Sequence, residues 1–335
     1  MSGVPLLLVH PGTHGVAVYA GDLARAARAA RPAGTPEVRT IDPVALDARE
    51  DHAPVHVHFT DRLWGPSPEE AARAFAALAA RRPVSVTLHD VPQASDGEPN
   101  RTRRRDAYAI VTAAARGVVV NSAHERALLA EEGVWAGAPA IIPLPVSLDE
   151  TLGALGVDAQ RPRPDGSVGV LGYFYPGKGH DEAAQAAAAA GIATLTVLGR
   201  ASEGHAADLD AFVSRAAGLG VAVEVTGWLD DAEIARRARA VSVPVIAHRH
   251  VSASGSLASW IGWGRRPVAV RGRYVDEMAL LRPGTLRAVE GADLPAAVAA
   301  AAADPGSTWH GLARLPMSWP DAAAAYLRWW EDLSW

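Results

Sequence analysis

Short apolar runs alternate along the chain with longer alanine-rich stretches whose apolar positions recur at helical spacing. In the N-terminal half the runs 6–9, 55–59, 84–88 and 117–120 each precede such a stretch, at 16–30, 68–80, 103–115 and 123–129. A run of four or five aliphatic residues reads as a buried strand, and an apolar stripe every three to four residues reads as an amphipathic helix. Repetition of that pair predicts parallel strands joined by crossover helices. The run 141–145, broken by Pro143 and Pro145, closes this half as one more short strand.

The same order restarts beyond a polar stretch at 158–167, which carries Pro and Gly and reads as a linker. Strands are expected at 168–173, 193–198, 221–226, 243–246 and 268–270, and helices at 181–190, 206–219, 230–240, 256–262 and 296–303. A last helix starts at Ser318 or Trp319-Pro320 and carries Ala323, Ala324, Leu327 and Trp330 on one side, so it must pack on something. With 335 residues the chain is too long for one ordinary core and suits two of about 150 residues each. The expected fold class is therefore α/β, with two Rossmann-like doubly wound domains at 1–150 and 151–315 and a C-terminal helix within 316–335.

Composition narrows the function classes. The chain is 49% hydrophobic and 21% charged, as globular proteins are, and no apolar run reaches the roughly 18 residues that a membrane span needs. Its formal net charge of -5 removes the electrostatic argument for nucleic acid. The basic segment Arg101-Thr102-Arg103-Arg104-Arg105 reads as a solvated helix face or loop. There is no cysteine, so neither a disulfide framework nor a thiolate metal site can form, while 12 histidines keep an imidazole site formally open. The first four residues carry no basic region and the run 4–9 reads as a strand, so a cytoplasmic protein is expected.

Ligands of open parallel sheets bind outside the carboxyl ends of the strands, so the loops that leave each strand are the candidate sites. The first loop has Gly12, His14 and Gly15 ahead of a helix, either a tight turn or a place where a ligand reaches backbone amides. It is Gly-x-x-Gly, with no acidic ribose reader following the second strand, which argues against a nicotinamide site. In the second loop, His56 and His58 share one strand face and Thr60 and Asp61 follow; a metal pair is conceivable, but hydrogen-bonded core histidines are the commoner outcome. His89 emerges at the end of the run 84–88 as a candidate active-site residue, and its charge state depends on whether burial or a neighbouring anion dominates. In the second half, Lys178 is the only lysine in the chain and lies between Gly177 and Gly179 at the start of a helix. Glycines, helix amides and a full positive charge together suit a diphosphate. Ser254, Gly255 and Ser256 at another helix start form either an anion cradle or a plain cap, and Arg249 is a second candidate cation that would make a two-sided clamp.

These residues resemble glycosyltransferase family 4 over nearly the whole chain. The stretch 168–179 is similar to that family's Gly-Arg-x-x-x-x-Lys-Gly element, with Lys178 at the diphosphate-binding lysine. Val197-Leu198-Gly199, Val225-Thr226-Gly227-Trp228-Leu229 and Gly264-Arg265-Arg266-Pro267-Val268 follow the donor-domain rhythm. Val119-Val120-Asn121-Ser122-Ala123 is similar to the acceptor-domain pattern, and His89 falls where an active-site histidine is common. Tyr173 stands where the family has arginine. The family's Glu-x7-Glu pair is absent: Ser259 holds the second position, and Val251 or Ser252 lies near the first.

The resemblance implies a GT-B fold, two domains facing a cleft with the last helix crossing back to the first domain. It implies a retaining transferase that moves a hexose from a GDP- or UDP-sugar to a hydroxyl of a small molecule or glycan, without a metal or other cofactor. Lys178, Gly179, Arg249, Ser254, Gly255 and Ser256 would hold the donor diphosphate. His89 and Lys178 would be catalytic, and Gly12, His14, Gly15, Thr60, Asp61 and Asn121 would line the sugar and acceptor side. The missing glutamates leave a second reading, a catalytically inactive GT-B protein that binds nucleotide or glycan as a partner subunit; a nucleotide-sugar epimerase of the same fold is a third.

Overall fold

The runs Val55–Phe59 and Val84–Leu88 are buried at every position, as parallel strands covered on both faces must be. They are strands β3 and β4 of a six-stranded parallel sheet that also holds β1 (Leu6–Leu8), β2 (Thr40–Ile41), β5 (Gly117–Val120) and β6 (Ala140–Ile141), in the order β2-β1-β3-β4-β5-β6. The computed structural model describes residues 4–31, 37–135, 137–149 and 161–335, which gather into two compact units, Met1–Pro145 with Met317–Trp335, and Val146–Pro316.

Alternation along β3 divides the first unit's core in two. Val55, Val57 and Phe59 join Val84, Val86 and Leu88 on one face, covered by Phe75, Tyr108 and Val111 from helices Pro68–Arg81 and Asn100–Ala114. The opposite face carries His56 and His58, in register with Ser85 and Thr87 of β4. A polar seam there needs hydrogen-bond partners, because burying unpaired polar groups is costly. Helix Trp319–Asp332 covers it, burying Ala322, Ala323, Tyr326 and Trp330 against Leu7, Val119 and the inner side of helix Gly15–Ala30. Its start is a reciprocal capping box of Ser318 and Asp321.

The second unit's sheet has the order β12-β11-β10-β7-β8-β9, built from β7 (Val168–Leu171), β8 (Thr194–Leu198), β9 (Ala222–Val225), β10 (Val243–Ile246), β11 (Val268–Val270) and β12 (Arg287–Val289). Helices His180–Ala189, Ala206–Gly218, Asp231–Ala240, Gly255–Gly262, Arg273–Leu281 and Leu294–Ala303 flank it. Both sheets are doubly wound. Strand order reverses between β1 and β3 in the first and between β7 and β10 in the second, so the loops after those four strands border the two switch points where such sheets take ligands.

Several expectations change. The expected strand at 141–145 shrinks to Ala140–Ile141, because the prolines that follow have no N–H to offer a ladder. The helix expected from 103 begins at Asn100, which puts the whole arginine run on it. That run is not a solvated face throughout: Arg101 pairs with Glu132 and Arg103 with Glu69, but Arg104 is buried with Asp61, Asp90 and Asp96 around it. Position 104 lies one turn before Tyr108 on the inward stripe, which no charge count reveals. Strands β2 and β12, the one-turn helices Pro43–Asp47 and Asp61–Trp64, and helix Arg273–Leu281 add to the expected elements. The expected linker at 158–167 lies outside the described residues up to 160, and from 161 it runs into β7. Among the described residues no helix is long and apolar enough to cross a membrane.

Candidate functional site

At the second unit's switch point the loop leaving β7 meets the loop leaving β10. Gly179 has φ +95, and a Cβ there would fall 2.4 Å from the carbonyl carbon and oxygen of Ala247, so only glycine admits this approach. The amide of Arg249 donates to Gly177 O at 3.0 Å and ties the loops together. Lys178, between the two glycines, donates from Nζ to Ser256 Oγ at 3.2 Å. Ser256 Oγ lies 3.2 Å from Ser254 Oγ, and Ser254 caps helix Gly255–Gly262 by accepting from Leu257 N.

The Lys178 side chain is thus joined to a helix N-terminus whose amides and partial positive charge favour anions. Its ammonium also lies 5.6 Å from the Tyr175 ring centre. Loss of solvation lowers its pKa to about 8, and among the described residues no carboxylate pairs with it. A half-buried cation at helix amides, without a carboxylate partner among the described residues, has the chemistry to hold an anion. His180 and His248, which sequence reasoning passed over, border it. The His180 ring packs 4.7 Å from Phe174, and burial followed by the Lys178 charge pushes its pKa to about 3. The same causes, in the same order, with His180 adding to them, lower His248. The adjacency of both to Gly179 and Arg249 in the chain was the available signal.

The structure therefore brings Lys178, Gly179, Ser254, Gly255 and Ser256 together. It engages the exposed side chain of Arg249 elsewhere, with Nε 2.6 Å from Glu182 Oε1.

In the first unit the candidate residues follow the carboxyl ends of β1, β3, β4 and β5, with the histidine pair at those of β3 and β4. His58 Nδ1 and His89 Nε2 are 3.1 Å apart. His56 is bonded through Nδ1 to Ser85 Oγ at 2.8 Å and through Nε2 to Thr87 Oγ1 at 3.1 Å, and Thr87 Oγ1 lies 2.8 Å from Tyr326 OH. His56 and His58 are thus hydrogen-bonded core residues, and among the described residues no group of metal-binding side chains forms. Burial, with the charge of a neighbouring histidine behind it, pushes His56 and His89 to about 3, so both rings are neutral at physiological pH.

The turn after His89 is held firmly. Asp90 has φ +55, and its carbonyl accepts from Arg104 and from Tyr108 OH, which also donates to His89 O at 2.8 Å. Asn121, fully buried, donates to Leu88 O at 3.0 Å and so fixes the end of β4. His14 caps helix Gly15–Ala30, its ring Nδ1 accepting from Val16 N at 3.2 Å, after Gly12 at φ +106. Thr60 and Asp61 begin the helix Asp61–Trp64, and Asp61 lies 3.3 Å from Arg104 Nε. Asp61, Arg62, Ser67, Asp90, Asp96 and Arg104 line a polar cavity of about 280 Å³.

No protein-family model matches the chain, and no curated protein matches it. Solved structures do. The chain is similar to Anabaena HepE in complex with UDP and glucose, with a TM-score of 0.65 and 17% identity over 97% of this chain and 95% of that one. It is similar to sucrose-phosphate synthase from Thermosynechococcus elongatus, with a TM-score of 0.64 and 17% identity over 97% and 94%. The apo lipopolysaccharide outer core galactosyltransferase WaaB matches at 0.60 and 10% identity over 97% and 99%.

The chain has the GT-B fold. Identities this low carry the fold alone, so the chemistry rests on the residues at the carboxyl ends of the strands in the two sheets. In this GT-B chain the second sheet offers a cation at a helix start, and the first offers a linked pair of neutral histidines.

Proposed function

We propose that this chain is a cytoplasmic, nucleotide-sugar-dependent glycosyltransferase whose second unit binds the donor and whose first unit binds the acceptor. One observation carries the reading: the Lys178 ammonium, without a carboxylate partner among the described residues, is bonded to Ser256 at the start of a helix beside the switch point of the second sheet. Neighbours of the same fold crystallised with UDP and with UDP-glucose, which supports a UDP-hexose as the donor to test first, ahead of a GDP-hexose.

In the proposed reaction the bond from the anomeric carbon to the diphosphate breaks and negative charge gathers on the departing phosphate. Lys178 and the amides at Ser254-Gly255-Ser256 meet that charge, and removing one such preorganised donor typically costs about 10²- to 10³-fold in rate. The acceptor hydroxyl attacks from the face the diphosphate leaves, passes its proton to the departing phosphate oxygen, and the sugar retains its configuration. The fixed ammonium supplies the charge that a divalent ion supplies elsewhere, so transfer is expected to survive chelation. His89 orients the transferred sugar or the acceptor, with Gly12, His14 and Gly15 after β1 and Thr60 and Asp61 after β3 beside it, and Asn121 holding the end of β4.

Calorimetric titration with UDP, GDP and ADP tests the reading. One nucleotide is expected to bind, and Lys178→Ala is expected to weaken it by about tenfold or more, the value of a charge-assisted hydrogen bond. Absence of binding to all three, or binding indifferent to Lys178→Ala, would refute the donor site. Binding with no transfer to any member of a broad hydroxyl-acceptor panel would favour the inactive partner-subunit reading.

A further inference from the structure

The two histidines at the ends of β3 and β4 share one hydrogen bond, and their surroundings decide where its proton lies. His58 Nδ1 and His89 Nε2 stand 3.1 Å apart. Both rings are buried, and burial lowers the pKa of each far enough that both are neutral. A neutral pair holds one proton per ring, so only two arrangements make the bond. In one, His58 donates from Nδ1 and His89 carries its own proton at Nδ1. In the other, His89 donates from Nε2, its Nδ1 is bare, and His58 carries its proton at Nε2.

His58 Nε2 separates the two. It is buried and has no hydrogen-bond partner among the described residues. Around the ring lie Tyr19 at 5.1 Å, His56 at 5.0 Å and Tyr326 at 6.3 Å between ring centres. Both nitrogens of His56 are taken by Ser85 and Thr87, and Thr87 also engages Tyr326 OH. A proton on His58 Nε2 would be an orphaned buried N–H, which native proteins avoid more strictly than an unused acceptor. The first arrangement is favoured. His89 Nδ1 makes no hydrogen bond among the described residues and is not one of the buried polar atoms left without a partner, so it is the nitrogen left open to a ligand. The His89 main chain is fixed, because its N donates to Phe59 O at 2.8 Å and its O accepts from Tyr108 OH, and Tyr19 packs on the ring at 5.2 Å.

We propose that His58 is a positioning residue that locks His89 in the Nδ1–H tautomer, making His89 a fixed hydrogen-bond donor to an oxygen of the sugar or acceptor and not a base. This rests on the reading that His89 serves the transferase site. It also restricts the chemistry, since a ring whose free nitrogen already bears a proton cannot collect one from the acceptor hydroxyl. This agrees with the proposed reaction, in which that proton leaves with the departing phosphate.

The test is long-range ¹H–¹⁵N NMR on the full chain labelled at histidine ring nitrogens, with His89 assigned by loss of its signals in His89→Asn. The expected spectrum has His89 protonated at Nδ1 and bare at Nε2 across neutral pH. His58→Phe removes the donor and is expected to shift the His89 proton towards Nε2; His58→Asn, whose amide can donate from the same place, is expected to restore the original pattern. A native spectrum with His89 protonated at Nε2 overturns the inference, even if neither variant folds. So does a folded His58→Phe with the tautomer unchanged. Because the measurement needs no turnover, titrating UDP, GDP and ADP into the same samples separates the two ideas. Nucleotide binding with the wrong tautomer sinks this inference alone, and the expected tautomer with none of the three bound sinks the transferase reading alone.

Discussion

Two glycines flank Lys178, and replacing each with alanine separates backbone strain from steric collision. Gly177 has φ +88 and nothing within 4 Å of the place a methyl group would take, whereas Gly179 has φ +95 and would place its methyl 2.4 Å from the Ala247 carbonyl and 2.8 Å from Ala247 Cβ. A left-handed conformation costs a non-glycine residue about 1–2 kcal/mol. Overpacking adds about 1–3 kcal/mol, and here the neighbour is backbone at the end of β10, which cannot rotate aside. Gly177→Ala is therefore expected to lose about 1–2 kcal/mol and Gly179→Ala about 2–5 kcal/mol, a large share of the 5–15 kcal/mol typical of a domain. The collision also pushes the β7 and β10 loops apart, which separates Lys178 from Ser256, so Gly179→Ala is expected to lose more nucleotide affinity than Gly177→Ala. Urea denaturation followed by circular dichroism, with calorimetric titration of the same samples, measures both effects. Equal destabilisation of the two variants, or a Gly179→Ala protein as stable as the parent, would refute the reasoning.

Three more outcomes follow from the packing. His56 and His89 titrate at about 3 when folded, against 6.5 for a free imidazole, so the unfolded chain takes up protons first; stability is complete above about pH 6.5 and falls with pH, by roughly 2 kcal/mol per histidine at pH 5. Urea midpoints of the first unit that agree at pH 7 and pH 5 would contradict this. Trp330→Ala empties a fully buried site between the last helix and helix Gly15–Ala30 and is expected to cost about 3–5 kcal/mol in the same assay; a loss below about 1 kcal/mol would mean that the helix is not part of this core. Arg104→Met leaves the buried carboxylate of Asp61 and the partly buried one of Asp96 without their cation and is expected to cost about 3–5 kcal/mol, and a near-neutral result in denaturation would show the network to be solvated.

The order of residues was enough to show which faces of the elements are apolar and roughly where most of them lie, because helix and strand periods are local properties of the backbone. Runs such as 55–59 and 84–88, buried at every position, announced parallel strands, and their alternation with amphipathic helices announced two doubly wound sheets. A lone lysine between glycines was legible as a candidate anion ligand, since few other settings combine free backbone, helix amides and a cation. What lay beyond reach was every partnership across the chain. Lys178 finds Ser256 78 residues away, Arg249 is engaged by Glu182, and His58 meets His89 31 residues on. The inward turn of Arg104, the cover of helix Trp319–Asp332 over the histidine seam, and the pressing of Gly179 onto Ala247 belong to the same class. These depend on sheet order, register and the packing of whole helices, which minimise buried polar and empty space over the entire unit, and no local window of residues contains that sum.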